Sequence, residues 1–89
     1  MDFSFTPELF NHLEKIKKGN LKLFKKIQKQ LILFKQNPYH PSLKTHKLKG
    51  KLSEYRSIYI ERNLRMLYYI KVNEAVFFDM GTHDEVYDK

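Results

Sequence analysis

The sequence predicts one domain over residues 1–89 with an α/β fold of the α+β type: a short N-terminal strand, a two-helix hairpin, then antiparallel strands in one twisted sheet. Between residues 7 and 36, apolar residues recur at three- and four-residue steps, the period of helices that bury one face. From residue 55 onward, β-branched and aromatic residues dominate, as is typical of strands. A chain of 89 residues has room for a single hydrophobic core.

The N-terminal elements are marked by capping residues. Residues 2–6 form a predicted strand with two phenylalanines on one side. The tripeptide Thr6-Pro7-Glu8 predicts a helix start. Thr6 supplies a capping hydroxyl, Pro7 lacks an N–H that would have no partner in the first helical turn, and the Glu8 carboxylate lies at the positive end of the helix dipole. Gly19 is expected to end that helix in the left-handed conformation, and Asn20 to cap the next one.

The second helix is predicted to be amphipathic. It should end at Asn37-Pro38, because the residue before a proline disfavours helical geometry. Its apolar stripe consists of Phe24, Ile27, Leu31 and Phe34. We call the opposite side the lysine face, formed by Lys22, Lys25, Lys26 and Lys29.

The second half of the chain is predicted to form a loop and a three-stranded meander. Tyr39–Glu54 follows one proline, contains another, and has a glycine and no sustained period, which indicates an extended loop. The predicted strands are Tyr55–Glu61, Leu64–Val72 and Ala75–Met80, with tight turns at Arg62-Asn63 and Asn73-Glu74.

A two-residue turn at 62–63 would fix which side chains share a sheet face. One predicted face holds Arg56, Ile58, Ile60, Arg65, Leu67 and Tyr69. The other holds Ser57, Tyr59, Leu64, Met66, Tyr68 and Ile70. Both sets are half apolar, so the sequence leaves open which face packs on the helices.

The charge distribution favours a polyanionic partner. The net charge is +7, and twelve lysines but no acidic residue lie between Glu14 and Glu54. Such a block attracts polyanions in a salt-dependent way, although a solvated surface would explain most of these lysines taken singly. There is no cysteine for a disulfide or a thiolate metal site. The opening residues lack a secretory signal and no apolar run suits a membrane span, so we expect a cytoplasmic protein.

Two histidines beside glycines flank the segment that holds all three arginines. His46 precedes Gly50 by four residues, His83 follows Gly81 by two, and Arg56, Arg62 and Arg65 lie between them. Histidine exchanges protons near neutral pH, and arginine grips phosphate through a planar fork of donors. This combination in a basic protein favours chemistry on RNA.

The order of elements and four motifs resemble the RelE/ParE superfamily of bacterial type II toxins, and within it the YafQ-like ribosome-dependent mRNA interferases. The motifs are HPSLKTHKLKG from residue 40, Tyr55-Arg56, LRMLY from residue 64, and residues 79–87. The resemblance implies a toxin that cleaves translated mRNA on the ribosome without a metal or other cofactor. It also implies neutralisation by a cognate antitoxin.

The resemblance also implies roles for individual residues. His83 and His46 match catalytic histidines of the YafQ-like branch, Arg65 matches an arginine that stabilises the transition state, and Tyr87 matches a C-terminal aromatic residue that stacks on a base or binds the phosphate. Arg56 matches a basic position that grips the RNA backbone. With it we group, as phosphate-binding residues, Arg62, Lys44, Lys47, Lys49, Lys51 and the lysine face.

The chain departs from the family pattern at two acid/base positions. Tyr59 stands where YafQ-like members have a histidine, and Asn63 stands at an aspartate position. Asparagine cannot act as a base, so the acid/base set is incomplete. A ParE-like inhibitor of DNA gyrase and a non-catalytic RNA-binding module therefore stay open as alternatives. A membrane-surface role for the second helix and metal-dependent hydrolysis are less favoured.

Overall fold

Two helices cover one face of a five-stranded sheet in the computed structural model, which describes residues 1–50 and 54–82. The predicted fold class is confirmed. The strands lie in the order β1-β5-β4-β3-β2; β1 pairs with β5 in parallel, and the other neighbours are antiparallel. The elements are β1 (Phe3–Phe5), α1 (Pro7–Gly19), α2 (Leu21–Gln36), a short 3-10 turn (Pro41–Leu43), β2 (His46–Lys47), β3 (Arg56–Glu61), β4 (Leu64–Lys71) and β5 (Glu74–Thr82).

Both helix starts form as predicted. The Thr6 hydroxyl accepts a hydrogen bond from the backbone N–H of Leu9, and the Asn20 side chain accepts one from Leu23. The helix end at Gly19 differs from the prediction. Gly19 is the last helical residue, and the chain leaves the helix through Asn20 (φ −150°, ψ 76°), whose N–H donates to the carbonyl of Ile16. A left-handed residue is therefore not needed there.

The hydrophobic core lies between the helices and the sheet face that we call the inner face. Phe34 from α2 is fully buried and packs edge-on against Tyr68 and Phe77, each with a ring-centroid distance of 5.1 Å. Phe3 of β1 joins this aromatic group. None of the helices in the described part of the chain is both long enough and apolar enough to cross a membrane.

A β-bulge reverses the predicted faces of β3. The turn forms at residues 62–63 and Glu61 pairs with Leu64, but Tyr59 rather than Ile60 pairs with Arg65. Because Ile60 is an extra residue on β3, the rest of that strand is shifted by one residue against β4. The prediction that Arg56 and Arg65 share a face is therefore wrong.

Two further differences concern the connections. The predicted loop 39–54 contains β2, in which His46 pairs with Ser57 and Lys47 pairs with Arg56. The second hairpin turn lies at Val72-Asn73, one residue earlier than predicted, and both residues have positive φ (49° and 64°). Positive φ at both central residues is the signature of a type I′ turn, whose twist suits a hairpin.

Candidate functional site

Arg65 is fixed on the outer face, the sheet face that the helices leave uncovered. It lies in the central strand β4, with 8% of its surface exposed. Its Nε donates to the Ser57 hydroxyl at 2.8 Å, and its Nη2 donates to the backbone carbonyls of Lys44 at 2.5 Å and Ser57 at 3.3 Å. These bonds hold the planar guanidinium in one orientation.

Lys44 connects Arg65 to Tyr59. The backbone of Lys44 is left-handed (φ 45°, ψ 50°), and its ammonium lies 4.8 Å from the centre of the Tyr59 ring, within the range of a cation–π interaction. The Tyr59 hydroxyl accepts a hydrogen bond from the backbone N–H of Arg62 at 2.8 Å. Tyr59 thus stabilises the turn at residues 62–63.

The strand register places His46 on the same face as Arg65. Its partner in the ladder is Ser57, whose hydroxyl binds Arg65, and directly paired residues point to the same side of a sheet. The histidine is exposed. The structure therefore brings two of the four predicted catalytic residues to one surface.

The other two predicted catalytic residues, His83 and Tyr87, lie outside the described residues, as does Lys51. Thr82, immediately before His83, is the last residue of β5, where Gly81 pairs with Arg65. The strand that leads to His83 thus runs beside Arg65.

Arg56 lies away from this group. It pairs with Tyr68, whose ring belongs to the inner core. Burial raises the pKa of Tyr68 to about 12; the positive charge of Arg56 lowers it and Tyr39 raises it further. Arg62 is exposed in the turn at 62–63, with φ 38°.

The lysine face forms as predicted, since all four of its lysines are exposed. One of them, Lys26, makes a 2.9 Å ion pair with Glu61 on β3. Lys44, Lys47 and Lys49 are also exposed, so the described lysines of the predicted phosphate-binding set are all accessible. Among residues 1–50 and 54–82, no three histidine, aspartate or glutamate side chains are grouped to hold a metal ion.

A second apolar cluster on the outer face was missed by the sequence analysis. Leu67 and Leu48 are buried there, and Tyr55, Tyr69 and Phe78 surround them. The two tyrosines border an open depression of about 660 Å³ at the end of the sheet where β3 begins and β4 ends. The two-residue spacing of Leu67 and Tyr69 in β4 indicates an apolar set on this face. The residues of β3 that join this set were not identified, because the bulge in β3 was not predicted.

An apolar groove lies between α1 and α2. Its volume is about 340 Å³, and its lining includes Phe10, Phe24 and Ile32. Phe10 and Ile32 are 51% and 61% exposed, unusual for large apolar side chains grouped in one place. Lys35 also borders the groove.

Comparisons with known proteins agree with this architecture. The family model described as the bacterial toxin of a type II toxin–antitoxin system, YafQ, matches residues 1–88. A curated relative, the putative toxin RelE4 of Methanocaldococcus jannaschii, is 26% identical over 90 residues, which cover 99% of this chain and 92% of the relative.

Two solved structures are similar to this one. The YoeB-YefM complex from Staphylococcus aureus matches with a TM-score of 0.76 and 26% identity, covering 93% of this chain and 97% of the other. YafQ from E. coli strain BL21(DE3) matches with a TM-score of 0.72 and 20% identity, covering 97% of each chain. Since the family model spans nearly the whole sequence, this chain belongs to the YafQ family of type II toxin–antitoxin toxins.

Proposed function

We propose that this toxin is an endoribonuclease that cleaves mRNA on the translating ribosome, without a metal ion. The observation that carries the proposal is the placement of Arg65. A buried arginine is held in a single orientation on the uncovered sheet face, beside the exposed His46 of β2 and the strand that leads to His83.

The proposed reaction is an intramolecular transfer at phosphorus. The 2′-oxygen of a ribose attacks the adjacent phosphate while a base takes its proton. The bond from phosphorus to the 5′-oxygen breaks, and an acid protonates the leaving oxygen. The products carry a 2′,3′-cyclic phosphate and a 5′-hydroxyl. His46 and His83 exchange the protons, and Arg65 stabilises the negative charge on phosphorus. Tyr87 contacts the substrate near the cut.

The cationic surfaces position the enzyme on the ribosome. The lysine face is exposed along α2, and phosphate contacts from such surfaces fix position without reading sequence. Arg62, Lys44, Lys49 and Lys51 contact RNA phosphates closer to the cut, and Lys47 and Arg56 do so at the far end of the sheet.

A cognate antitoxin is the proposed inhibitor. The similar YoeB structure is described as a complex with YefM, and the family is that of toxins in toxin–antitoxin systems. The groove between α1 and α2 suits apolar side chains of such a partner, and nearby lysines suit its acidic residues.

The test maps cleavage in a translation extract. Wild type, His83→Ala, His46→Ala and the control His12→Ala are compared; His12 is exposed on α1. We expect breaks within translated codons for wild type and His12→Ala, and loss of most breaks for the other two. Isolated mRNA should be largely spared.

The chemistry of the new ends tests the mechanism separately. Cyclic phosphates and 5′-hydroxyls support attack by the 2′-hydroxyl, whereas 5′-phosphates would contradict it. If all four proteins give no breaks, the nuclease proposal fails; if all four give the same breaks, the assignment of His46 and His83 fails. Assays of gyrase inhibition and of plain RNA binding would then separate the two alternatives.

A further inference from the structure

The depression at the end of the sheet combines aromatic and cationic groups. Its lining among the described residues is Lys47, Glu54, Tyr55, Arg56, Tyr69 and Ile70. Three strands meet there, since Lys47 ends β2, Arg56 begins β3 and Tyr69 lies near the end of β4. Its volume of about 660 Å³ lies within the ~300–1,000 Å³ typical of ligand sites.

The aromatic rings in this depression pack against further apolar side chains. The Tyr55 ring lies 4.7 Å from Phe78 and 6.5 Å from Tyr69, and Tyr69 lies 5.7 Å from Phe78. Phe78 in turn packs against the buried Leu67 and Leu48. The two tyrosines thus lose little further conformational freedom when a planar ligand stacks on them.

The charged residues that border the depression indicate which kind of ligand it binds. Lys47 and Arg56 border the depression with two positive charges, and Glu54 borders it with one negative charge. Because Lys47 pairs with Arg56 and Arg56 with Tyr68, the two cations lie on the side of the sheet opposite Tyr69, and they reach the depression at the end of the strands. A flat aromatic ligand with an attached phosphate fits this pattern, because its ring stacks on a tyrosine while its phosphate lies near the lysine and the arginine. A nucleotide of single-stranded RNA has this chemistry, and non-specific single-strand sites combine the same two features.

We propose that the depression is a stacking subsite for a nucleotide of single-stranded RNA, with Tyr69 and Tyr55 contacting the base, and Lys47 and Arg56 the phosphate. Tyr69 follows Arg65 by four residues on the same face of β4, roughly 13 Å at ~3.3 Å per residue. The subsite therefore holds a nucleotide away from the scissile bond, at the end of the sheet, with its base on the outer face and its phosphate toward Lys47 and Arg56. This inference rests on the proposed function for its choice of RNA.

Binding without cleavage tests the subsite. The probe is a short, fluorescein-labelled 2′-O-methyl oligoribonucleotide, which lacks the attacking hydroxyl. Tyr69→Leu, which keeps apolar bulk but removes the ring, should raise Kd about tenfold, equivalent to ~1.4 kcal/mol and within the range for base–aromatic stacking. Tyr69→Phe should restore most of the affinity. The matched control is Tyr39→Leu, at a tyrosine that is 67% exposed outside the depression, and it should not change Kd.

Salt dependence separates stacking from phosphate contact. Arg56→Gln should lower the slope of log Kd against log salt by ~0.7, the value for one phosphate contact with a single strand. Tyr69→Leu should leave the slope unchanged. Equal affinities for wild type and Tyr69→Leu, or a slope that Arg56→Gln does not alter, would overturn the subsite.

A measurement on the wild-type protein tests the subsite without depending on the folding of any variant. On addition of the oligonucleotide, the ring protons of Tyr69 and Tyr55 should shift in NMR spectra, while polyphosphate, which has no bases, should leave them in place. Absence of these shifts at saturating oligonucleotide would overturn the proposal. Cleavage of mRNA with no involvement of Tyr69 would remove the subsite alone. Tyr69-dependent binding by a chain that cleaves nothing would support the subsite and contradict the nuclease.

Discussion

Arg65 is held in place by hydrogen bonds from its planar guanidinium. Its replacement by lysine therefore separates the effect of side-chain geometry from the effect of positive charge. Lysine keeps the positive charge but cannot donate to the Ser57 hydroxyl and the Lys44 carbonyl through one rigid fork. We expect Arg65→Lys to lower the cleavage rate by about 100-fold, the size of effect seen when one transition-state donor is removed. The rate is measured by primer extension on a translated mRNA, at a temperature where circular dichroism shows the variant folded.

A second substitution at the same contact refines this prediction. Ser57→Ala keeps the arginine and removes only the hydroxyl acceptor, so the expected loss of rate is smaller than for Arg65→Lys. A folded Arg65→Lys variant with wild-type activity would show that cleavage does not depend on the guanidinium geometry at this position.

Tyr68 makes the stability of the protein sensitive to alkaline pH. Its folded-state pKa of about 12 lies above the ordinary value near 10 in the unfolded chain. Between these values the unfolded chain has released a proton that the folded chain keeps, so the free energy of unfolding falls as pH rises. We expect wild type to lose ~2 kcal/mol more than Tyr68→Phe between pH 10 and 12. Urea unfolding of both proteins across this range, in which the lysines titrate equally, would show parallel curves if the prediction is wrong.

At the scale of elements, Gly19 and Gly50 should respond in opposite ways to alanine. Gly19 is helical, with no atom within 4 Å of an added Cβ, whereas Gly50 has φ +66°. Alanine favours a helix over glycine but is strained at positive φ. We expect Gly19→Ala to raise the free energy of unfolding by ~0.5–1 kcal/mol and Gly50→Ala to lower it by ~1 kcal/mol, as measured by urea denaturation. Destabilisation by Gly19→Ala would mean that this residue needs a conformation that only glycine adopts.

The hairpin between β4 and β5 stores backbone strain at a β-branched residue. Val72 has φ 49° and is 89% exposed, so it gains little from burial while its branched side chain disfavours the left-handed region. Val72→Asn should raise the thermal midpoint, corresponding to about 1 kcal/mol. The control Val76→Asn, in the half-buried part of β5, should lower it. A lower midpoint for Val72→Asn would contradict the turn geometry.

The elements show where sequence was sufficient and where it was not. Thr6 and Asn20 act through hydrogen bonds to residues three positions away, so local chemistry predicted both helix starts. The bulge at Ile60 depends on distant partners instead. The buried Gln30 of α2 donates to the carbonyl of Tyr59 at 2.8 Å and to the carbonyl of Ser42 at 3.1 Å. No local sequence pattern predicts these two hydrogen bonds.

The candidate site shows the same division. Arg65 and His46 were chosen by motif, and the structure places both on the outer face. Arg56 was assigned to the wrong face, because a single extra residue in β3 reverses the side-chain order. Tyr69 was assigned to the face of Arg65 correctly, but its contacts with Tyr55 and Phe78 depend on a sheet register that the sequence did not determine.

At the scale of the whole molecule, the position of the positive charges should matter more than their number. Lys22, Lys25 and Lys29 are exposed on α2, whereas Lys26 is paired with Glu61. Replacement of those three by glutamine should weaken ribosome binding and lower the salt slope by ~2. The matched control replaces Lys15, Lys17 and Lys18, which are exposed on α1. Equal losses for the two triple variants, measured by co-sedimentation at several salt concentrations, would show that net charge alone governs binding.

The parallel pairing of β1 with β5 joins the two ends of the described chain. Phe3 pairs with Ala75 and Phe5 with Phe77, and Arg65 lies between strands that come from well-separated parts of the sequence. Contacts of such long range form slowly and late. During its own synthesis the protein therefore has no complete sheet until β5 has emerged from the ribosome. A chain that is still being made thus lacks the assembled outer face that the proposed cleavage requires, before any antitoxin is bound.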